Sequence, residues 1–128
     1  MVMRDDRFLM IQRAAGILAG GAWCFVGGGI EPGESQDHAV QREFFEEMGG
    51  RISALHKLWE WVRADGRLRL HWWLCDLEPG ALQANLAEVQ DYGWYKQDEL
   101  LGLPGLLESN REFVACIGIA LVDGDGAN

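Results

Sequence analysis

Three glutamates, Glu43, Glu46 and Glu47, lie within one short stretch that also holds Arg42. On a helix turning about 100° per residue, with Glu43 as origin, Glu46 falls near −60° and Glu47 near +40°, so the three carboxylates share an arc of roughly 100°. Val40, Phe44 and Met48 fall near 60°, 100° and 140°, and Phe45 near 200°, which sets an apolar face beside the acidic one. Glu43 and Glu47, four residues apart, are a like-charge pair that costs a bare helix a few tenths of a kcal/mol. Acidic helix faces are most often solvated surface and nothing more. Here two neighbours argue for chemistry. Arg42 stands four residues before Glu46 and can orient its carboxylate, and Gly27-Gly28-Gly29 supplies bendable backbone ahead of the helix. Clustered hard oxygen donors with little positive charge around them suit Mg²⁺ or Mn²⁺.

The elements that must position these groups can be read from the same chain. Ser35 offers an N-cap, Asp37 an acidic first turn and Gly49-Gly50 a stop, which predicts a helix over Gln36 to Met48. Glu31-Pro32-Gly33 before it is turn chemistry. Arg7 to Gln12 and Trp23 to Val26 read as strands. Leu55 to Val62 and Leu68 to Leu77 are aromatic-rich strands joined through Ala64-Asp65-Gly66, a hairpin turn, and in the second Leu68, Leu70, Trp72 and Leu74 alternate with Arg69, His71, Trp73 and Cys75. Gly93 to Tyr95 is a short last strand and Asp98 to Leu101 a helical turn. Phe113, Val114, Ile117, Ala120 and Leu121 have the spacing of a closing helix, and the tail Asp123 to Asn128 is expected to fray. This order predicts α/β or α+β with a mixed sheet and two main helices.

The 128 residues are one domain's worth of chain, and 48% apolar residues suffice for a packed core. Twenty carboxylates against eleven basic side chains leave a net charge of −9, with no basic footprint for a nucleic-acid polymer or an anionic membrane. A phosphorylated small molecule stays within reach, because divalent cations held by carboxylates invert the local field. Cys24, Cys75 and Cys116 form no CxxC pair and read as reduced thiols of a cytoplasmic protein. The seventeen uncharged residues from Ala14 to Ile30 include six glycines, so they read as a loop with a short strand and not as a membrane span.

Gly28, then five residues, Glu34, seven residues, Arg42-Glu43-Phe44, one residue, Glu46-Glu47, one residue and Gly49 resemble the Nudix box, GX5EX7REUXEEXGU with U bulky aliphatic. All fixed positions match. Trp23-Cys24-Phe25 entering Gly27-Gly28, Ile30 to Glu34, and Trp94 with Asp98-Glu99-Leu100 extend the resemblance over about Arg7 to Ala120. It implies a single domain with the Nudix fold, an α/β/α sandwich around a mixed β-sheet, with residues 28–50 as loop, helix and loop. It also implies hydrolysis of a nucleoside diphosphate linked to another group, with Mg²⁺ or Mn²⁺ as cofactor. Carried over residue by residue, Glu43, Glu46 and Glu47 become metal ligands and Gly28 a ligand through its carbonyl. Glu34 orients or helps deprotonate the attacking water and Glu43 is the rival base; Arg42, able to orient the carboxylate of Glu46, is counted with them as catalytic. Three positions depart from the pattern. Gly50 stands at the last aliphatic position, so looser packing is expected there. Val26 replaces a proline, and Gly29 stands where many members carry a lysine.

Length and layout resemble the MutT-type nucleoside triphosphate pyrophosphohydrolases. Arg13 matches a phosphate- or base-facing arginine, or is a surface residue ending its strand. Glu88, six residues before Trp94, matches a further metal ligand, or is a solvated loop carboxylate. Asn110 matches a purine-reading asparagine, or is the N-cap of the last helix. Trp59, Trp61, Trp72 and Trp73 are expected to pack the hairpin and not to stack on a base. Alternative substrates are ADP-ribose, a nucleotide sugar or a dinucleoside polyphosphate. Neither the proline nor the tyrosine expected of those enzymes stands near Asp65-Gly66-Arg67. A non-catalytic nucleotide sensor has no need of the full Glu34, Glu43, Glu46 and Glu47 set. With only Met1-Val2-Met3 before Asp5-Asp6, the first strand is expected as a stub, with the neighbouring edge partly covered in a homodimer.

Overall fold

The structure is a computed structural model that describes residues 1–118. Strands β1 (Met3–Arg4), β2 (Arg7–Arg13) and β3 (Trp23–Phe25) precede helix α1 (Gln36–Met48). Strands β4 (Ile52–Val62), β5 (Arg69–Leu77) and β6 (Val89–Tyr95) follow, then α2 (Gln97–Leu101) and α3 (Glu108–Phe113), which runs into a π-helical turn over Val114–Gly118. The bounds of α1 match the sequence expectation. Ser35 does hold the N-cap position in extended backbone, but its side chain makes no capping bond, while Gly49 closes the helix in the left-handed region at φ 68°. At the other end of the chain Asn110 is not the N-cap of α3. That position is Leu107, and Asn110 sits inside the first turn. Expected helix positions 120 and 121 and the tail 123–128 lie outside the described residues.

Strand β2 organises the molecule. One flank pairs antiparallel with β6 from Phe8↔Tyr95 to Arg13↔Val89. The other flank pairs first with β1, at Arg4↔Arg7 and Met3↔Phe8, and then with β3, from Met10↔Phe25 to Gln12↔Trp23. The expected stub strand therefore exists, and this chain itself fills the edge of β2 that a second copy was expected to cover. The stub also reaches the β4–β5 hairpin: Val2 bridges Cys75 in parallel, and the Cys75 N–H donates to the Met1 carbonyl at 2.9 Å. With a second parallel bridge between Trp23 and Leu106, it gives the otherwise antiparallel pairing its mixed character.

Both faces of the sheet are covered, because the two-residue period of each strand sends alternate side chains to opposite cores. Phe8 and Met10 of β2 and Trp23 and Phe25 of β3 pack with Trp72, Leu100, Leu106, Phe113 and Val114. Leu9, Ile11 and Cys24 pack on the opposite side with Phe44 and Met48 of α1, Ile52, Cys75 and Val89. The expected hairpin packing of the tryptophans holds: Trp72 stacks on Phe113 at 5.1 Å between ring centroids, with Trp59 at 5.5 Å from Trp72. Strand β6 runs four residues longer toward the N-terminus than its sequence suggested. Those residues, Val89 to Tyr92, are mostly polar and exposed, and their pairing to β2 and not their own hydrophobicity makes them a strand. Among the described residues no helix is long and apolar enough to cross a membrane.

Candidate active site

The acidic arc of α1 spans a boundary between core and solvent. Glu46, at one margin, is half exposed. Glu47, on the side of Val40 and Phe44, is carried inward and keeps 6% of its surface exposed. Its Oε2 is buried without a hydrogen-bond partner among the described residues. Burial raises its pKa to about 8, and the charges of Glu43 and Glu88 add to the rise. Glu43 is also shifted upward, first by burial. Glu88 thus lies close enough for its charge to act on both α1 carboxylates, although forty residues of sequence separate them.

Arg42 is the hub on the other side of the arc. Its Nε donates to Glu34 Oε2 at 2.7 Å and its Nη2 to Glu34 Oε1 at 2.8 Å, a bidentate pair. Nη1 reaches Glu43 Oε1 at 3.0 Å and Glu46 Oε2 at 3.2 Å, and Nη2 also donates to the Gly29 carbonyl at 2.8 Å. Glu34 receives two more contacts, from the Glu31 N–H at 3.1 Å and from His38 Nδ1 at 2.8 Å. Both of its oxygens are thereby committed, and Arg42 above all holds its carboxyl well below the usual carboxylate range. His38 was not anticipated from the sequence, although its spacing of four from Glu34 was the available signal.

Gly28 has a steric role that the spacing alone did not reveal. A Cβ there would lie 2.3 Å from both Cδ and Oε2 of Glu43, so the loop backbone lies directly over that carboxylate. Arg13 sits at the end of β2, with Nε donating to the Leu18 carbonyl at 2.7 Å, and its charge partly offsets the rise at Glu47. Asn110 is set apart from this cluster. It is buried, its Oδ1 accepts from the Phe25 N–H at 2.9 Å and its Nδ2 donates to Ser109 Oγ at 3.1 Å, so it braces β3 against α3.

A family model described as the NUDIX domain matches residues 1–116. The chain belongs to the Nudix family. CTP pyrophosphohydrolase of Escherichia coli strain K12 is 36% identical over 110 residues, 81% of this chain and 77% of that protein. The solution structure of the E. coli ORF135 protein superposes with a TM-score of 0.76 at 30% identity, covering 99% of this chain and 89% of that one. A MutT protein from Methanosarcina mazei Go1 shares the fold, with a TM-score of 0.75 at 21% identity over 89% of this chain and 85% of that one. The chain is thus a Nudix pyrophosphohydrolase, in a family that acts on nucleoside di- and triphosphates.

Nudix hydrolases generally use divalent metal ions. Among the described residues no three donors are already gathered as a closed cation cage, and Glu43 and Glu46 each bond to Arg42. The residues nevertheless fit such an ion: among the described residues a buried carboxylate oxygen lacks a hydrogen-bond partner, the charges of two further carboxylates act on it, and all are hard oxygen donors. Gly50, the departure at the last position of the Nudix box, is not loosely packed. A Cβ there would meet Leu82 Cδ2 at 2.6 Å and Phe44 Cε1 at 3.1 Å, so Leu82 fills the space expected to be open.

Proposed function

We propose that this Nudix hydrolase is a Mg²⁺- or Mn²⁺-dependent, MutT-like nucleoside triphosphate pyrophosphohydrolase that releases a nucleoside monophosphate and pyrophosphate. The observation that carries the cation dependence is the Oε2 of Glu47, buried without a hydrogen-bond partner among the described residues and within the field of Glu43 and Glu88. An acidic arc of this kind repels a polyphosphate unless cations stand between them. Glu43, Glu46, Glu47, Glu88 and the Gly28 carbonyl would hold the metal. The chemistry it supplies there is neutralisation of phosphate oxygens and a lowered pKa for the attacking water. Glu34 acts through Arg42, because its two oxygens are fully engaged in holding the guanidinium that in turn aims Glu43 and Glu46. Glu43, bound to Arg42 through Oε1, is the better placed of the two to take the proton of the water. Arg13 is the cation at the β2 end of the cluster and is assigned to the substrate phosphates.

The relative named as a CTP pyrophosphohydrolase favours pyrimidine triphosphates as first substrates. Asn110 supports no base-reading role, since its acceptor oxygen is spent on Phe25. Hydrolysis of CTP, dCTP, the other (d)NTPs, ADP-ribose and dinucleoside polyphosphates, with Mg²⁺ or Mn²⁺ and in ¹⁸O-water, tests the reading. The expected result is cation-dependent turnover of a triphosphate, with ¹⁸O in either the monophosphate or the pyrophosphate. Label found solely in inorganic phosphate, or full turnover in excess EDTA, overturns it.

A further inference from the structure

We propose that Leu82 is a positioning residue: seated in the space that Gly50 leaves open, it latches the loop after β5 onto the C-terminal end of α1 and so sets where that loop presents Glu88 to the carboxylates of α1. The proposal rests on the reading of Glu88 as a cation ligand and goes beyond it by naming what fixes that ligand's loop.

The two glycines that close α1 form a platform for this loop. At Gly49, in the left-handed region, a Cβ would come within 3.0 Å of the Gln83 carbonyl oxygen. At Gly50 it would come within 2.6 Å of Leu82 Cδ2, so a side chain at position 50 would push the tip of Leu82 from its observed place. In the seat Leu82 packs with the core on the α1 side of the sheet, whose members include Phe44, Met48 and Leu77. The next residues then meet carbonyls that the end of a helix leaves without partners. The Gln83 N–H donates to the Met48 carbonyl and the Asn85 N–H to that of Glu47, both at 2.8 Å. From Asn85 the chain turns at once: the Glu88 N–H returns to the Asn85 carbonyl at 2.9 Å, and the Glu88 carbonyl accepts from the Ala14 N–H at 2.9 Å. The loop is thus tied to α1 at Leu82, Gln83 and Asn85, and its far end at Glu88 is tied to Ala14, the residue after β2. The hydrogen bonds exchange readily with water, whereas the apolar seat does not, which makes Leu82 the anchor. In this chain the seat is filled from the loop, and filling it ties the loop down.

The test measures Mn²⁺ binding by calorimetry on the full chain, well below melting, together with amide exchange at Gln83 and Asn85. Leu82→Ala opens the seat. Gly50→Ala removes no core atom and pushes the tip of Leu82 out of place, and it keeps the test valid should the first variant fold poorly. Both are expected to weaken Mn²⁺ binding about tenfold, as disturbed support for a ligand commonly does, and to speed exchange at both amides. Glu88→Gln is expected to weaken binding without speeding exchange. Leu106→Ala, which opens the core on the other face of the sheet, is expected to lower Tm and leave Mn²⁺ affinity unchanged. Unchanged affinity in both Leu82→Ala and Gly50→Ala, with weakened binding in Glu88→Gln, overturns the latch alone. Unchanged affinity in Glu88→Gln overturns the cation reading of Glu88 and the latch with it. An equal loss in Leu106→Ala reduces the effect to general destabilisation and likewise overturns the latch.

Discussion

Glu47 lies on the same arc of α1 as Val40 and Phe44, so the helix that buries its apolar face also buries this carboxylate. Glu47→Gln removes a charge that burial and two like charges disfavour, while keeping an oxygen and the side-chain volume. We expect kcat to fall at least about 100-fold while the Tm of the cation-free protein rises by about 1–4 °C. Steady-state kinetics and calorimetry of the same preparation check both halves. Gly28→Ala acts by displacement, because its methyl would occupy the place of the Glu43 carboxylate. A loss of roughly 10–100-fold in kcat/KM is expected, with Tm within about 3 °C of the parent, since the displaced atoms are the flexible end of a side chain. At this scale the sequence located the carboxylates and Arg42 but not their partners. Spacing on one helix ranks Glu43, Glu46 and Glu47 by angle. It carries no information on which of them the sheet covers, and Glu34 and Glu43 are separable as candidate bases only once the four contacts to Glu34 are seen.

The β4–β5 hairpin is the element with the clearest electrostatic signature. Glu60 pairs with Lys57 and, at 2.7 Å, with Arg69, and His71 Nδ1 stands 3.3 Å away. The contacts to Lys57 and then Arg69 lower the Glu60 pKa from 4.5 to about 2. A carboxylate with a depressed folded pKa adds stability above its unfolded pKa and loses it as pH falls through the folded one. The Tm difference between the parent and Glu60→Gln should therefore be constant over about pH 6–8 and close as pH drops from 4.5 toward about 2. High salt should shrink it at neutral pH, as exposed pairs are screened. A difference that widens in acid contradicts this assignment. The hairpin was legible because its turn glycine and two-residue alternation are local. Strand β6 was half legible, because its first residues become a strand only through β2, a partner that no local pattern announces.

Two cores meet across one sheet, and the junction between its two ladders depends on a short segment. Val2 is buried and bridges Cys75, so it joins the hairpin to the four-stranded part. Val2→Asp places a charge in that seam and should cost at least about 2 kcal/mol in urea unfolding. A smaller loss in a folded, two-state variant would show that the cores hold the ladders together without the seam. The sandwich was legible through the resemblance; the seam was not, because a three-residue stub has no periodicity to read. The indole pair Trp59 and Trp72, with ring planes tilted by 58°, has an optical consequence. Two transition dipoles so close and so inclined couple, giving a paired positive and negative circular-dichroism band that isolated indoles lack. That band reports whether β4 and β5 keep the two rings in register on the face where Phe113 packs against both, without any added label.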